Sequence, residues 1–171
     1  MSDLPNKLTS ISKGHVLSND SILDQYSHDA SIFEVKPKVV VFPKDVEDIK
    51  ALVKFVRDNK KNESNLSLTA RSAGTDMGGG SINDSIIVDF TKYFNKIISV
   101  NSDFATVQPG VYYRDFEKEA QKHKVFFPSY PASKDICAIG GIINNNSGGE
   151  KSLKYGKTQK FVKKIKAVLS D

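Results

Sequence analysis

Apolar residues run along this chain in two rhythms, one continuous and one helical. Lys38 to Phe42 (KVVVF) is an unbroken β-branched stretch closed by Pro43, which predicts a buried strand. From Val46 the spacing turns helical: Val46, Ile49, Leu52, Val53 and Val56 share a face, with Asp45 as N-cap and Asp48 in the first turn. That helix should end near Asn59, and Leu66–Ala70 reads as the next strand. Strand, helix and strand at this spacing predict a βαβ unit with a parallel pair. Downstream, Ser85–Phe90, Lys96–Val100 and Phe104–Gln108 are short apolar runs with brief connections, expected to be antiparallel strands. Tyr112–Lys124 predicts a second helix that turns Phe116 and Ala120 to a core. Ser21–Ser27 fits a short helix, and residues 1–19 are weakly patterned, so a loosely held lead-in is expected. Lys160–Ser170 alternates lysine with apolar residues and predicts a closing strand with one solvated face.

Composition narrows the class without naming a function. The chain has 171 residues, 39% hydrophobic and 26% charged, which suits one globular domain or two small subdomains sharing a core. No apolar run approaches 18 residues and the N-terminus lacks an apolar h-region, so neither a transmembrane helix nor a secretory signal is expected. Cys137 is the single cysteine, which fits a reducing, cytoplasmic setting. The net charge of +5 is spread along the chain among acids, and no nucleic-acid-binding motif accompanies it. His15, His28 and His123 stand alone in sequence, so no catalytic group and no metal site is assigned.

Two glycine-rich stretches carry the candidate chemistry. Arg71–Ser81 (RSAGTDMGGGS) lies between two predicted strands and is nearly bare of side chains, as a loop that admits a close backbone approach would be. It lacks the G-x-x-x-x-G-K-[ST] of a phosphate-binding P-loop and the G-x-G-x-x-G of a dinucleotide fold. The N–H groups around Gly74, Thr75 and Gly78 can still form an anion-binding concavity, with Ser72 and Thr75 adding hydroxyls. Arg71 would either clamp that loop or face the anion. The second stretch, Ile139–Lys157, reads as a helix start where glycines permit close packing, or as part of the same ligand site. A ligand-free hairpin loop is the bland alternative for the first.

Taken in order, VVVFPKDVEDIKALVKF, RSAGTDMGGGS, IIVDFTKYFNKI, VQPGVYYRDF, FFPSYPAS, AIGGIINNNSGG and KYGK resemble the FAD-binding domain of the FAD-linked oxidases. This is the superfamily of vanillyl-alcohol oxidase and p-cresol methylhydroxylase, and the likeness runs from about Tyr26 to the C-terminus. The style is that of the branch that holds D-lactate dehydrogenase and the flavin-binding chain of glycolate oxidase. The resemblance implies an α+β fold of two α/β subdomains, a small βαβ unit and a mainly antiparallel sheet, with FAD extended in the groove between them. It would place Arg71, Ser72, Ala73, Gly74, Thr75, Asp76 and Met77 along the FAD diphosphate. Pro131, Ala132, Ser133, Cys137, Ala138, Gly140 and Gly141 would line the flavin and ribityl side. Asn144, Asn145, Ser147 and Gly148 would follow the cofactor on the other subdomain. Members with covalent flavin carry histidine where Thr75 stands, and Cys137 does not align with the cysteine of doubly linked members, so non-covalent FAD is expected. Ala138 replaces the family's usual threonine.

The resemblance also implies what lies elsewhere. Residues 1–34 would be a lead-in and residues 35–171 a C-terminally incomplete FAD-binding domain, stopping straight after the last predicted strand. The substrate domain, which supplies catalytic groups and contacts the small-molecule substrate, would be absent. The parent would be an FAD-dependent dehydrogenase or oxidase of a 2-hydroxy acid such as D-lactate or glycolate, cytoplasmic or peripheral to the membrane at full length. Two alternatives stay open: an NADPH-dependent cell-wall-precursor reductase of the same superfamily, and a degenerate interaction module without flavin. A truncated sheet edge would also allow dimerisation.

Overall fold

The computed structural model describes residues 3–170. Three predicted strands join an unpredicted one, β1, in a four-stranded sheet of order β1-β2-β4-β3: β1 His15–Leu17, β2 Val39–Phe42, β3 Leu68–Arg71 and β4 Ile86–Asp89. Three helices cover it: α1 Leu4–Ile11, α2 Asp20–Tyr26 and α3 Val46–Asn59. β2 and β4 are buried at every position, as central parallel strands with helices on both faces must be. Val39, Val41, Ile86 and Val88 pack on Leu8 of α1 and Leu52 of α3. Val40, Phe42 and Ile87 face the other way, onto Leu23 and Tyr26 of α2. The period-2 alternation of the strands thus divides one apolar run between two cores. Helix α3 begins and ends where its pattern predicts, with the Asp45 side chain accepting from the Asp48 N–H at 3.0 Å.

Strand order departs from the sequence reading. β2 and β3 run in the same direction but are not neighbours, because β4 inserts between them and is parallel to both. The expectation that Ser85–Phe90 pairs antiparallel is therefore corrected. Adjacent parallel strands cannot be closed by a two-residue turn, and residues 72–85 make the crossover instead. The length of the glycine loop follows from this geometry.

Two further expectations are corrected. Within its described residues, the N-terminal segment is not a loose lead-in: β1 pairs antiparallel with β2, and Leu8 is fully buried. The buried Asp48 carboxylate accepts from the backbone N–H groups of Lys13, Gly14 and Lys44 at 2.8, 3.0 and 2.8 Å, which hooks the α1–β1 turn onto the start of α3. Lys160–Ser170 is not a strand. A 3-10 turn at Thr158–Lys160 leads into irregular chain whose Val168 shares a cavity of about 520 Å³ with Val53, Val56 and Leu68 beside the edge strand β3. A strand needs a ladder partner for its N–H and C=O groups, and neither sheet takes this segment.

The second lobe holds the antiparallel pair that the sequence predicts, β5 Ile97–Val100 and β6 Ala105–Val107. Helices α4 Tyr113–Lys122, α5 Ile139–Asn144 and α6 Ser152–Tyr155 complete it. Tyr113, Phe116 and Ala120 of α4 pack with Val111, Tyr130, Cys137, Ile139 and Ile142. The result is two α/β lobes, as expected, with the glycine loop of the first beside α5 of the second.

Candidate functional site

The site grows from the C-terminal ends of the parallel strands, where open α/β sheets place their ligands. Arg71 and Asp89 are register partners at the ends of β3 and β4. Asp89 is 3% exposed and fully engaged: it accepts from the Tyr26 hydroxyl at 2.9 Å and from the Thr91 N–H and hydroxyl at 2.7 and 2.6 Å. Burial first, then the Asp89 charge, pushes the Tyr26 phenol well above its ordinary range. The Arg71 guanidinium lies 4.9 Å from the centre of the Tyr26 ring and donates to the Ser81 carbonyl at 3.4 Å. Burial lowers its pKa, while the Tyr26, Asp89 and Asp29 charges act the other way.

The loop folds over this guanidinium. Gly74 has φ +66°, and a Cβ there would sit 2.5 Å from the Arg71 guanidinium, so the position takes glycine on both conformational and steric grounds. Arg71 therefore clamps the loop from within. Of the two roles the sequence leaves it, the geometry supplies this one. A cavity of about 220 Å³ opens alongside, between Gln25, Tyr26, Arg71, Ser72, Asp89 and Tyr112.

What the loop offers a ligand is backbone. Among the described residues, no N–H from Ser72 to Met77 donates to a protein acceptor. Gly78 differs from the sequence expectation: its N–H and that of Gly80 are taken by Asp76 Oδ2 at 3.2 and 2.6 Å. Six successive free donors, with the Ser72 and Thr75 hydroxyls, suit a phosphate or diphosphate.

The opposite wall is α5. A Cβ on Gly141 would lie 3.3 Å from Ser72 Oγ, and one on Gly140 would lie 2.8 Å from the Pro109 side chain, so both glycines stand where neighbouring chain comes close. Asn145, which caps α5, donates from Nδ2 to Asp76 Oδ1 at 2.8 Å, and Asn144 stands beside it. Further along, the Ser147 carbonyl is occupied by the hydroxyls of Ser129 and Thr158. Gly148 packs against Ser152, and Gly149 against Tyr130 and Pro131. Pro131, Ala132 and Ser133 form a turn that the Pro131 and Ser133 carbonyls close with the N–H groups of Lys134 and Cys137. The Cys137 and Ala138 side chains belong to the second lobe's interior, and burial raises the thiol pKa.

The structure thus joins the glycine loop to Gly141 at Ser72 and to Asn145 at Asp76, and sets Pro131 against Gly149 in the chain that follows α5. Gln25, Tyr26, Asp89 and Tyr112 escaped the sequence reading. An aspartate at the end of an apolar strand was the available signal for Asp89, whereas nothing local marks Tyr26. Among the described residues no three His, Cys, Asp or Glu gather as a metal site would require.

Comparison with known proteins bears on the family and the fold. The model of the FAD binding domain family matches residues 37–171. D-2-hydroxyglutarate dehydrogenase of Haemophilus influenzae is 31% identical over 159 residues, which cover 92% of this chain and 15% of that protein. Glycolate oxidase subunit GlcD of Bacillus subtilis is 32% identical over 150 residues, covering 85% of this chain and 31% of the relative. D-lactate dehydrogenase of Anaerostipes hadrus is 30% identical over 173 residues, covering 98% and 35%. Among solved structures, an alkyldihydroxyacetonephosphate synthase superimposes with a TM-score of 0.75 at 18% identity, over 94% of this chain and 31% of that one. The 6-hydroxy-D-nicotine oxidase of Arthrobacter nicotinovorans gives a TM-score of 0.70 at 23% identity, over 85% and 31%. These two structures share the fold, and the chain spans only a minor part of every relative named. A loop of free N–H donors, its neighbouring α5 wall and the match over residues 37–171 lead to one assignment: the chain belongs to the FAD binding domain family, with FAD as its cofactor.

Proposed function

We propose that this chain is the FAD-binding portion of an FAD-dependent oxidoreductase acting on a 2-hydroxy acid such as D-lactate or glycolate, with the FAD held non-covalently. The observation that carries the reading is the run of free N–H groups from Ser72 to Met77. In that role the loop amides and the Ser72 and Thr75 hydroxyls neutralise the diphosphate, and Arg71 holds their curvature from within. Thr75 in place of the histidine of covalent members supports the non-covalent mode. The shared 2-hydroxy acid chemistry in the relatives' names supports the substrate class. The isoalloxazine, when bound, supplies the hydride acceptor. The groups that move substrate protons are assigned outside this chain.

Titration of the protein with FAD, following flavin fluorescence and the thermal midpoint together, tests the reading. FAD held at 100 times its Kd should add about 2.7 kcal/mol of stability, seen as a raised midpoint. Gly74→Val should remove that rise, because the side chain can neither keep the positive φ nor clear the guanidinium. A protein whose midpoint ignores FAD, or a Gly74→Val variant that responds like the parent, would overturn it. Flavin content also separates the proposal from an interaction module without cofactor.

A further inference from the structure

Asp76 is the one carboxylate of the Arg71–Ser81 loop, and it lies beside the amides that suit a diphosphate. As a cofactor ligand it is a poor choice, since an anionic oxygen near a diphosphate raises its energy. The structure gives the side chain other partners. Oδ2 accepts from the N–H groups of Gly78 and Gly80, and Oδ1 accepts from Asn145 Nδ2 at 2.8 Å, across 69 residues of sequence. Glycine at position 80 makes the first contact feasible, since a Cβ there would stand 2.9 Å from Asp76 Oδ2. Gly80 is thereby explained by a protein carboxylate and not by a ligand.

The far end of the contact is equally placed. Asn145 caps the C-terminus of α5, while Gly141 in the same helix lies against Ser72 at the start of the loop. The loop and α5 therefore touch at both ends, by packing at Ser72–Gly141 and by a charge-assisted hydrogen bond at Asp76–Asn145. The free N–H groups of residues 72–77 lie between these two fastenings.

We propose that Asp76 is a positioning residue that braces the cofactor groove: its carboxylate ties the Gly78–Gly80 turn to Asn145 and fixes the spacing between the glycine loop and α5. The inference rests on the reading that FAD occupies that groove. It assigns the Asp76 side chain to the protein's own framework, with only its backbone N–H left for the diphosphate.

A mutant cycle measured by FAD fluorescence titration tests it. Asp76→Ala and Asn145→Ala should each raise the Kd for FAD about tenfold, the scale of one charge-assisted hydrogen bond. The double variant should be no weaker than either single one, because both remove the same fastening. Asp76→Asn keeps an acceptor for the glycine amides and, with the Asn145 amide reversed, a bond to α5, so it should restore affinity to near the parent value. Amide hydrogen exchange at Gly78 and Gly80, read without FAD, should be slow in the parent and in Asp76→Asn but fast in Asp76→Ala. Unchanged FAD affinity in Asp76→Ala, or fully additive losses in the double variant, would overturn the brace while leaving the proposed function intact. Failure of the parent protein to bind FAD would overturn both.

Discussion

Asp89 and Tyr26 are 63 residues apart in sequence, yet they share one buried hydrogen bond beneath the glycine loop. Removing the carboxylate by Asp89→Ala strands the Tyr26 hydroxyl and the Thr91 N–H and takes away one of the two carboxylate charges, Asp89 and Asp29, that favour the half-buried Arg71 cation. A loss of about 3 kcal/mol is expected, measured by urea unfolding. Tyr26 and Tyr113 give the molecule an alkaline limit. Burial is the leading cause in each of raising the phenol well above the ordinary 10.0, with Asp89 and Glu117 adding to it. Below that ordinary value both the folded and the unfolded chain keep these protons. Above it the unfolded chain releases protons that the fold retains, so stability must fall as pH rises beyond about 10. The double variant Tyr26→Phe, Tyr113→Phe should flatten that fall in a pH series of thermal midpoints. At this scale the sequence was partly legible. Arg71–Met77 stand out because glycines and hydroxyls advertise backbone chemistry directly. Tyr26, Asp89 and Tyr112 do not, because their role arises only when remote segments meet.

Helices were easier to read than strand order. Asp45, the apolar face of α3 and its end at Asn59 are all local signals, and α3 forms where they put it. The position of β4 is not local: short length and a brief downstream connection suggest a hairpin, while the packing places it between two parallel neighbours. Its unbroken Ile86-Ile87-Val88 run was the better guide, since continuous apolar strands belong inside parallel sheets. The N-terminal segment failed for a different reason. α1 offers a single buried residue, Leu8, and β1 spans three residues, so neither makes a strong periodic signal. Their attachment depends on Asp48, which looks in the sequence like an ordinary first-turn acid. Asp48→Ala leaves three backbone N–H groups without their acceptor and should cost about 3 kcal/mol in urea unfolding. Lys44→Ala, whose backbone partner is unaffected, should change stability by less than about 0.5 kcal/mol.

Across the whole molecule, each half of the proposed cofactor site belongs to a different lobe. The glycine loop leaves β3, and α5 is anchored in the core around Tyr113 and Ile142. The general architecture was readable because the order of seven segments carries it, while the pairing within each lobe depends on contacts between segments far apart in the chain. The crossover from β3 to β4 also governs how the chain comes together. β2 and β3 have no ladder with each other: β2 has only the short β1 and β3 has no partner until β4 arrives, after residues 72–85 have looped back. The stretch proposed to cradle the cofactor is thus the same stretch whose closure must precede completion of the central sheet. Loop closure then belongs to the barrier on the way in and not to the barrier on the way out. Doubling the loop with a flexible insert after Gly79 should slow refolding in stopped-flow mixing by roughly threefold and leave the unfolding rate nearly unchanged. Any variation that reshapes this loop for a ligand will therefore be felt first by the newly made chain, in the time it takes to fold.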